Sequence, residues 1–86
     1  DFRDKYTSVV EDLRGLLDDA AIEDAERMAH SLKGVSGTLG AEPVQDVAAE
    51  LEESIRENRD DDTAAGLKEL SRRLTPLLRD IDTYLA

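Results

Sequence analysis

The sequence predicts an all-α domain, an antiparallel up-down-up-down four-helix bundle, and three observations lead there. Apolar residues recur at three-and-four spacing in four separate stretches, the signature of helices that each bury one face. Leu, Ala, Glu and Arg are abundant and only 3% of residues are aromatic, whereas a sheet draws on Val, Ile, Thr and aromatics. The links between the stretches are short and carry Gly, Asp and Pro, so neighbouring helices fold back on one another. At 86 residues without a cysteine, the chain is near the small end of what buries an adequate core unaided, which favours a simple helical one.

The first helix is expected from about Phe2 to Leu17, where Phe2, Tyr6, Val9, Val10, Leu13, Leu16 and Leu17 form one stripe; Gly15 and the Asp18-Asp19 pair mark its end. Asp19 is the expected cap of a second helix over about Ala21 to Leu39, and Glu23 and Asp24 suit the positive end of its dipole. Its apolar face comprises Ile22, Ala25, Met28, Ala29, Leu32, Val35, Ser36 and Leu39, and Gly40 fits the left-handed residue that closes it. Pro43 stands in the first turn of a third helix, where proline is tolerated best, ahead of the stripe Val44, Val47, Ala48, Leu51 and Ile55. Asn58 to Asp62 reads as a polar turn. The fourth stripe is Ala64, Leu67, Leu70, Leu74, Leu77, Leu78, Ile81 and Leu85. Pro76 interrupts it and is expected to kink or split the last helix near Thr75, because it removes a backbone donor and crowds the preceding turn.

Charge and composition exclude several functions. Twenty-one acids against eleven bases leave a net charge of −10, which repels nucleic-acid phosphate and anionic lipid and favours an electropositive or metal-loaded partner. The same charge keeps a small domain soluble and monomeric. No apolar run approaches the roughly 18 residues of a membrane span, and the amino end lacks a basic segment followed by an apolar core. With one histidine, no cysteine, and an Asp60-Asp61-Asp62 run lacking the glycine and terminal glutamate of a calcium loop, no metal site is expected. Asp1 in place of Met, with the stripe starting at Phe2, suggests a single domain over residues 1–86 cut from a longer protein.

Candidate chemistry concentrates in Ala29-His30-Ser31-Leu32-Lys33-Gly34-Val35-Ser36-Gly37-Thr38-Leu39-Gly40-Ala41. At about 100° per residue His30 falls roughly 160° from the centre of the apolar stripe, so its imidazole faces solvent. Side chains on a helix lean toward its amino end, so the residue four places on would cover the ring; that residue is Gly34, and the ring stays uncovered. Glycine costs about 1 kcal/mol relative to alanine inside a helix, yet Gly34 and Gly37 both lie on this polar side. Gly37 either keeps the surface flat or lets another helix pack closely. Lys33 can reach back over the same patch as a point charge for an anion. An unhindered neutral imidazole beside a cation is a competent nucleophile toward a phosphoryl group, whereas without an evident pocket it suits general-base hydrolysis poorly.

His30 and Glu52 lie eleven positions before and after Ala41, which places them at one height in an antiparallel hairpin. Glu52 sits at the edge of its stripe, about 85° from the centre. A carboxylate there can accept from one ring nitrogen, fix the tautomer, and leave the other nitrogen as nucleophile.

Ala29-His30-Ser31-Leu32-Lys33-Gly34, followed by Leu39-Gly40-Ala41 and by Ala48, Leu51 and Glu52, resembles the histidine-containing phosphotransfer (HPt) domain of bacterial two-component phosphorelays. The family pattern of histidine, any residue, leucine, lysine, glycine, with a second glycine and an alanine six and seven residues after the first glycine, is met in full. The likeness runs over nearly the whole chain and is to the module at the carboxyl end of hybrid sensor histidine kinases. Gly37 stands where alanine or serine is frequent.

The resemblance implies a four-helix bundle in which His30 accepts a phosphoryl group from a receiver-domain aspartate and passes it to another. It makes Lys33 the cation that stabilises the phosphoryl group, Glu52 the side chain that orients the imidazole, and Gly34 the clearance for docking, with Gly37, Arg27 and Ser31 on the docking surface. It implies a relay module without an ATP site, not an independent enzyme, that needs no cofactor or metal of its own, since the receiver brings Mg²⁺. Expected partners are response-regulator receivers and a sensor kinase in cis or trans, in the cytoplasm, alone or as a domain of a membrane-anchored kinase. Two alternatives share the sequence: the phosphotransfer domain of a chemotaxis-type kinase, and a helical interaction domain that is never phosphorylated.

Overall fold

The computed structural model describes residues 8–85, and among them four helices follow in order: α1 (Val9–Asp18), α2 (Ile22–Thr38), α3 (Glu42–Arg56) and α4 (Asp60–Leu85). Phe2 and Tyr6 of the first stripe lie outside the described residues, as do the side chains of Leu77, Leu78, Ile81 and Leu85. The all-α four-helix bundle expected from periodicity is the observed architecture. No helix among the described residues is long and apolar enough to cross a membrane.

One side-chain stripe from each helix meets in a single core: Val9 and Leu13 of α1, Ala25, Ala29 and Leu32 of α2, Val44, Val47, Ala48, Leu51 and Ile55 of α3, and Leu67, Leu70 and Leu74 of α4. Burying each of the larger aliphatic groups is worth about 1.5–3 kcal/mol. Small buried residues, Ala25, Ala29 and Ser36 on α2 and Ala48 on α3, accompany the most extensive interface of the bundle, which is between these two helices. Glu26, His30 and Gly37 of α2 face Arg56, Glu52 and Gln45 of α3, in reversed order, so these two helices are antiparallel. Ser54 and Leu51 face Thr63 and Gly66 in the same reversed manner, which makes α3 and α4 antiparallel as well. At a rise of about 1.5 Å per residue, the 26 residues of α4 account for the 39 Å long dimension of the molecule.

All three links close their helices with one geometry. The residue after each helix cap turns left-handed, Ala20 at φ 59°, Gly40 at φ 73° and Asn58 at φ 56°. Its successor's amide then reaches back to the carbonyl five residues earlier, Ala21 to Leu16, Ala41 to Ser36 and Arg59 to Ser54, at 2.8–2.9 Å. This geometry corrects the expectation for Asp19, which does not cap α2. Its amide donates to Gly15 at 3.0 Å and closes α1, the residue preceding α2 is Ala21, and no side chain bonds the first turn.

Two further expectations are corrected, and a third in part. Leu39 is 52% exposed, because it follows the last residue of α2 and the left-handed Gly40 turns the chain away from the core. In α4 the buried residue is Thr63 and not Ala64, since the Thr63 hydroxyl donates to Ser54 Oγ at 2.9 Å and is drawn inward. Of the kink or split expected at Pro76, the split is not met, since α4 runs from Asp60 to Leu85 across it. Pro76 and Arg72, whose carbonyl loses its donor, both lie on the exposed face, where water can satisfy the freed acceptor.

Candidate functional site

The site straddles the α2–α3 seam, where a carboxylate from one helix meets two basic side chains of the other. His30 stands on the outer face of α2 with its side chain 65% exposed. Glu52 is the one charged side chain that is buried among the described residues, at 8% exposure, deeper than the edge position expected from the helical wheel. Its Oε2 lies 2.8 Å from His30 Nδ1, and its Oε1 accepts from Lys33 Nζ at 2.7 Å. A buried carboxylate is tolerated only when its lone pairs are answered, and here both oxygens are.

The Lys33 hydrogen bond, opposed by burial and seconded by the His30 hydrogen bond and both nearby charges, holds the Glu52 carboxyl below its ordinary value of 4.5. At neutral pH it is therefore ionised and can only accept. His30 Nδ1 must then carry the ring proton, and Nε2 keeps its lone pair at the exposed end of the ring.

Gly34 and Gly37 differ. A Cβ built at Gly34 meets nothing within 4 Å, so the surface over the imidazole is open. A Cβ at Gly37 would come within 2.5 Å of Gln45 Nε2, so the end of a side chain from the next helix lies over Gly37. Ser31 and Arg27 are exposed, and Arg27 pairs loosely with Asp24 at 3.6 Å. Lys33 does not lie free over the imidazole but is engaged by Glu52. A shallow groove beside the ring is lined by Glu23, Glu26, Arg27, His30 and Glu52. Among the described residues no three histidine, cysteine, aspartate or glutamate side chains gather as a metal site.

Two members of the site escape a reading of the sequence. Arg56 places Nη2 3.6 Å from Glu52 Oε2 and donates from Nε to Glu26 Oε1 at 3.0 Å. Glu26 and Arg56 are equidistant from Ala41, as His30 and Glu52 are, so the offset that pairs the latter also pairs the former.

A model of the Hpt domain family matches residues 1–82. The chain belongs to that family. No curated protein and no solved structure matches it. Hpt domains carry out histidine phosphotransfer in two-component phosphorelays, interacting with receiver domains and kinases as modules without an ATP site of their own. In this Hpt domain the sequence holds a single histidine, and it is the one bonded to Glu52.

Proposed function

We propose that His30 is the phosphoacceptor of this Hpt domain, that it takes the phosphoryl group from a receiver aspartate and returns it to another, and that Lys33 and Glu52 make the exchange reversible. The observation that carries the reading is the 2.8 Å approach of His30 Nδ1 to an ionised, buried Glu52, on a ring whose other nitrogen faces an uncovered surface. Nε2 donates its lone pair to the phosphorus of the aspartyl phosphate, a P–N bond forms, and the P–O bond to the aspartate breaks, releasing the carboxylate. No proton has to move. Nδ1 keeps its hydrogen, the ring becomes cationic, and the Glu52 carboxylate answers the new charge.

Lys33, on the same face of α2, supplies positive charge to the phosphoryl oxygens. Gly34 leaves room for the partner, and Ser31, Arg27 and Gly37 border the docking surface. The magnesium ion and acidic pocket belong to the receiver, and the domain works in the cytoplasm within a longer kinase or beside one.

The test is incubation with a phosphorylated receiver. The parent domain should yield an acid-labile, base-stable phosphoprotein and His30→Gln none; a His30→Gln protein labelled as well as the parent would overturn the assignment.

A further inference from the structure

Glu52 touches three basic groups, and two of them are the reacting pair. During transfer Lys33 is drawn toward the phosphoryl oxygens and cannot hold the carboxylate throughout, and His30 is the group that the carboxylate has to orient, so neither fixes Glu52 before the reaction. Arg56 is the third. It stands one turn after Glu52 on α3, as Glu26 stands one turn before His30 on α2, and the four side chains form a chain of polar contacts across the seam: a hydrogen bond from His30 to Glu52 at 2.8 Å, a looser ion pair of Glu52 with Arg56 at 3.6 Å, and a hydrogen bond from Arg56 to Glu26 at 3.0 Å.

We propose that Arg56 is a positioning residue for phosphotransfer, bracing Glu52 Oε2 through an anchor on Glu26 so that the carboxylate stays aimed at His30 Nδ1. The planar guanidinium suits this because it presents Nε to one carboxylate and Nη2 to another at fixed separation, which a single ammonium does not. The contribution is chiefly positional. Glu26 lies closer to the guanidinium than Glu52 does and takes the larger share of its charge, with Glu52 taking the smaller. What remains is a restraint on a glutamate with three rotatable bonds, whose other partners change role in the reaction.

This inference rests on the phosphotransfer reading of His30, but its first readout does not need phosphate. The ring tautomer of His30 is measured by nitrogen NMR on the unphosphorylated domain at about pH 8, where an ordinary imidazole is neutral. Arg56→Gln should shift the population roughly two- to fivefold from the Nδ1–H toward the Nε2–H form, the exchange that an exposed ion pair of ordinary strength can drive. Transfer from a phosphorylated receiver should slow in proportion to the loss of the Nδ1–H fraction, a smaller factor than the change in ratio because that form is the major one in the parent. Arg56→Lys should restore only part of both effects. Glu26→Gln, which leaves Arg56 in place without its anchor, should shift the tautomer the same way, and the double variant no further than Arg56→Gln alone. An unchanged tautomer ratio in Arg56→Gln, or full additivity of the two substitutions, overturns the brace and leaves phosphotransfer at His30 intact. Phosphorylation of His30→Gln would remove both.

Discussion

The bond Lys33 makes in the resting domain and the role proposed for it in transfer separate by substitution. In the resting domain it donates to the buried Glu52 at 2.7 Å, so its removal costs the fold more than a loose surface pair does, about 1–2 kcal/mol. Lys33→Gln keeps an amide donor for Glu52 but no charge for the phosphoryl oxygens. It should stay near parental stability while transferring phosphate at least about tenfold more slowly, the scale expected when one charge-assisted hydrogen bond is removed from the reaction centre. Lys33→Ala should lose both transfer and stability. Parental transfer by the Gln variant, followed by radiolabel exchange with a receiver, would show that the lysine serves Glu52 alone. Gly34 is the complementary case. With open space where its Cβ would be, Gly34→Ala should raise stability by up to about 1 kcal/mol. Gly34→Gln leans toward His30 and should obstruct the receiver while the domain still melts at or above the parental temperature. A folded Gln variant that transfers at the parental rate would dismiss the clearance argument.

At the scale of the element, the three links share one geometry but not one residue type. Gly40 and Asn58 are suited to left-handed backbone, and Ala20 is not. Ala20→Gly should therefore stabilise the domain, by about 0.5–1 kcal/mol after glycine's added unfolded-state entropy is set against the relieved strain, and Gly40→Ala should destabilise it by at least as much. Chemical denaturation of both variants decides; equal and opposite signs to these would mean that the turns relax without strain. Ala20 also shows what is legible in the sequence and what is not. Stripes announce themselves through periodicity, and Gly40 and Pro43 mark the α2–α3 link, so periodicity and turn residues place α2 and α3 to within about one residue. Alanine carries no turn signal, so Asp19 draws the capping role whose position Ala21 occupies. Thr63 looks like any polar residue until Ser54 is seen opposite it. At the site, His30 and Glu52 are found by their offsets about Ala41, while Arg56 and Glu26 are lost among the many acid and base spacings of a chain that is 37% charged.

For the whole molecule, acid pulls in two directions. The net charge of −10 at neutrality repels itself, and protonating exposed carboxylates on the way to the isoelectric point near pH 4.4 relieves that repulsion and favours the compact state. Glu52 acts oppositely. Its pKa in the folded domain is held below the ordinary 4.5, first by the Lys33 hydrogen bond, so the unfolded chain binds this proton more readily. The stabilisation linked to its ionisation is complete above about pH 4.5 and is lost as the pH falls through the lower folded value. The two contributions separate when the parent is compared with Glu52→Gln, since both carry nearly the same surface charge and differ in one titrating group. The gap in melting temperature between them should narrow as the pH falls below about 4.5 and be smallest at the most acidic pH at which both still fold. Added salt screens the overall repulsion beyond roughly 8 Å but leaves the 2.7 Å Lys33 hydrogen bond, so about 0.15 M salt should raise both melting temperatures while preserving the gap at pH 7. A gap that widens as the pH falls below about 4.5 would mean that protonation of Glu52 is favoured in the folded domain, and a protonated Glu52 could not hold His30 in the tautomer that the proposed phosphotransfer requires.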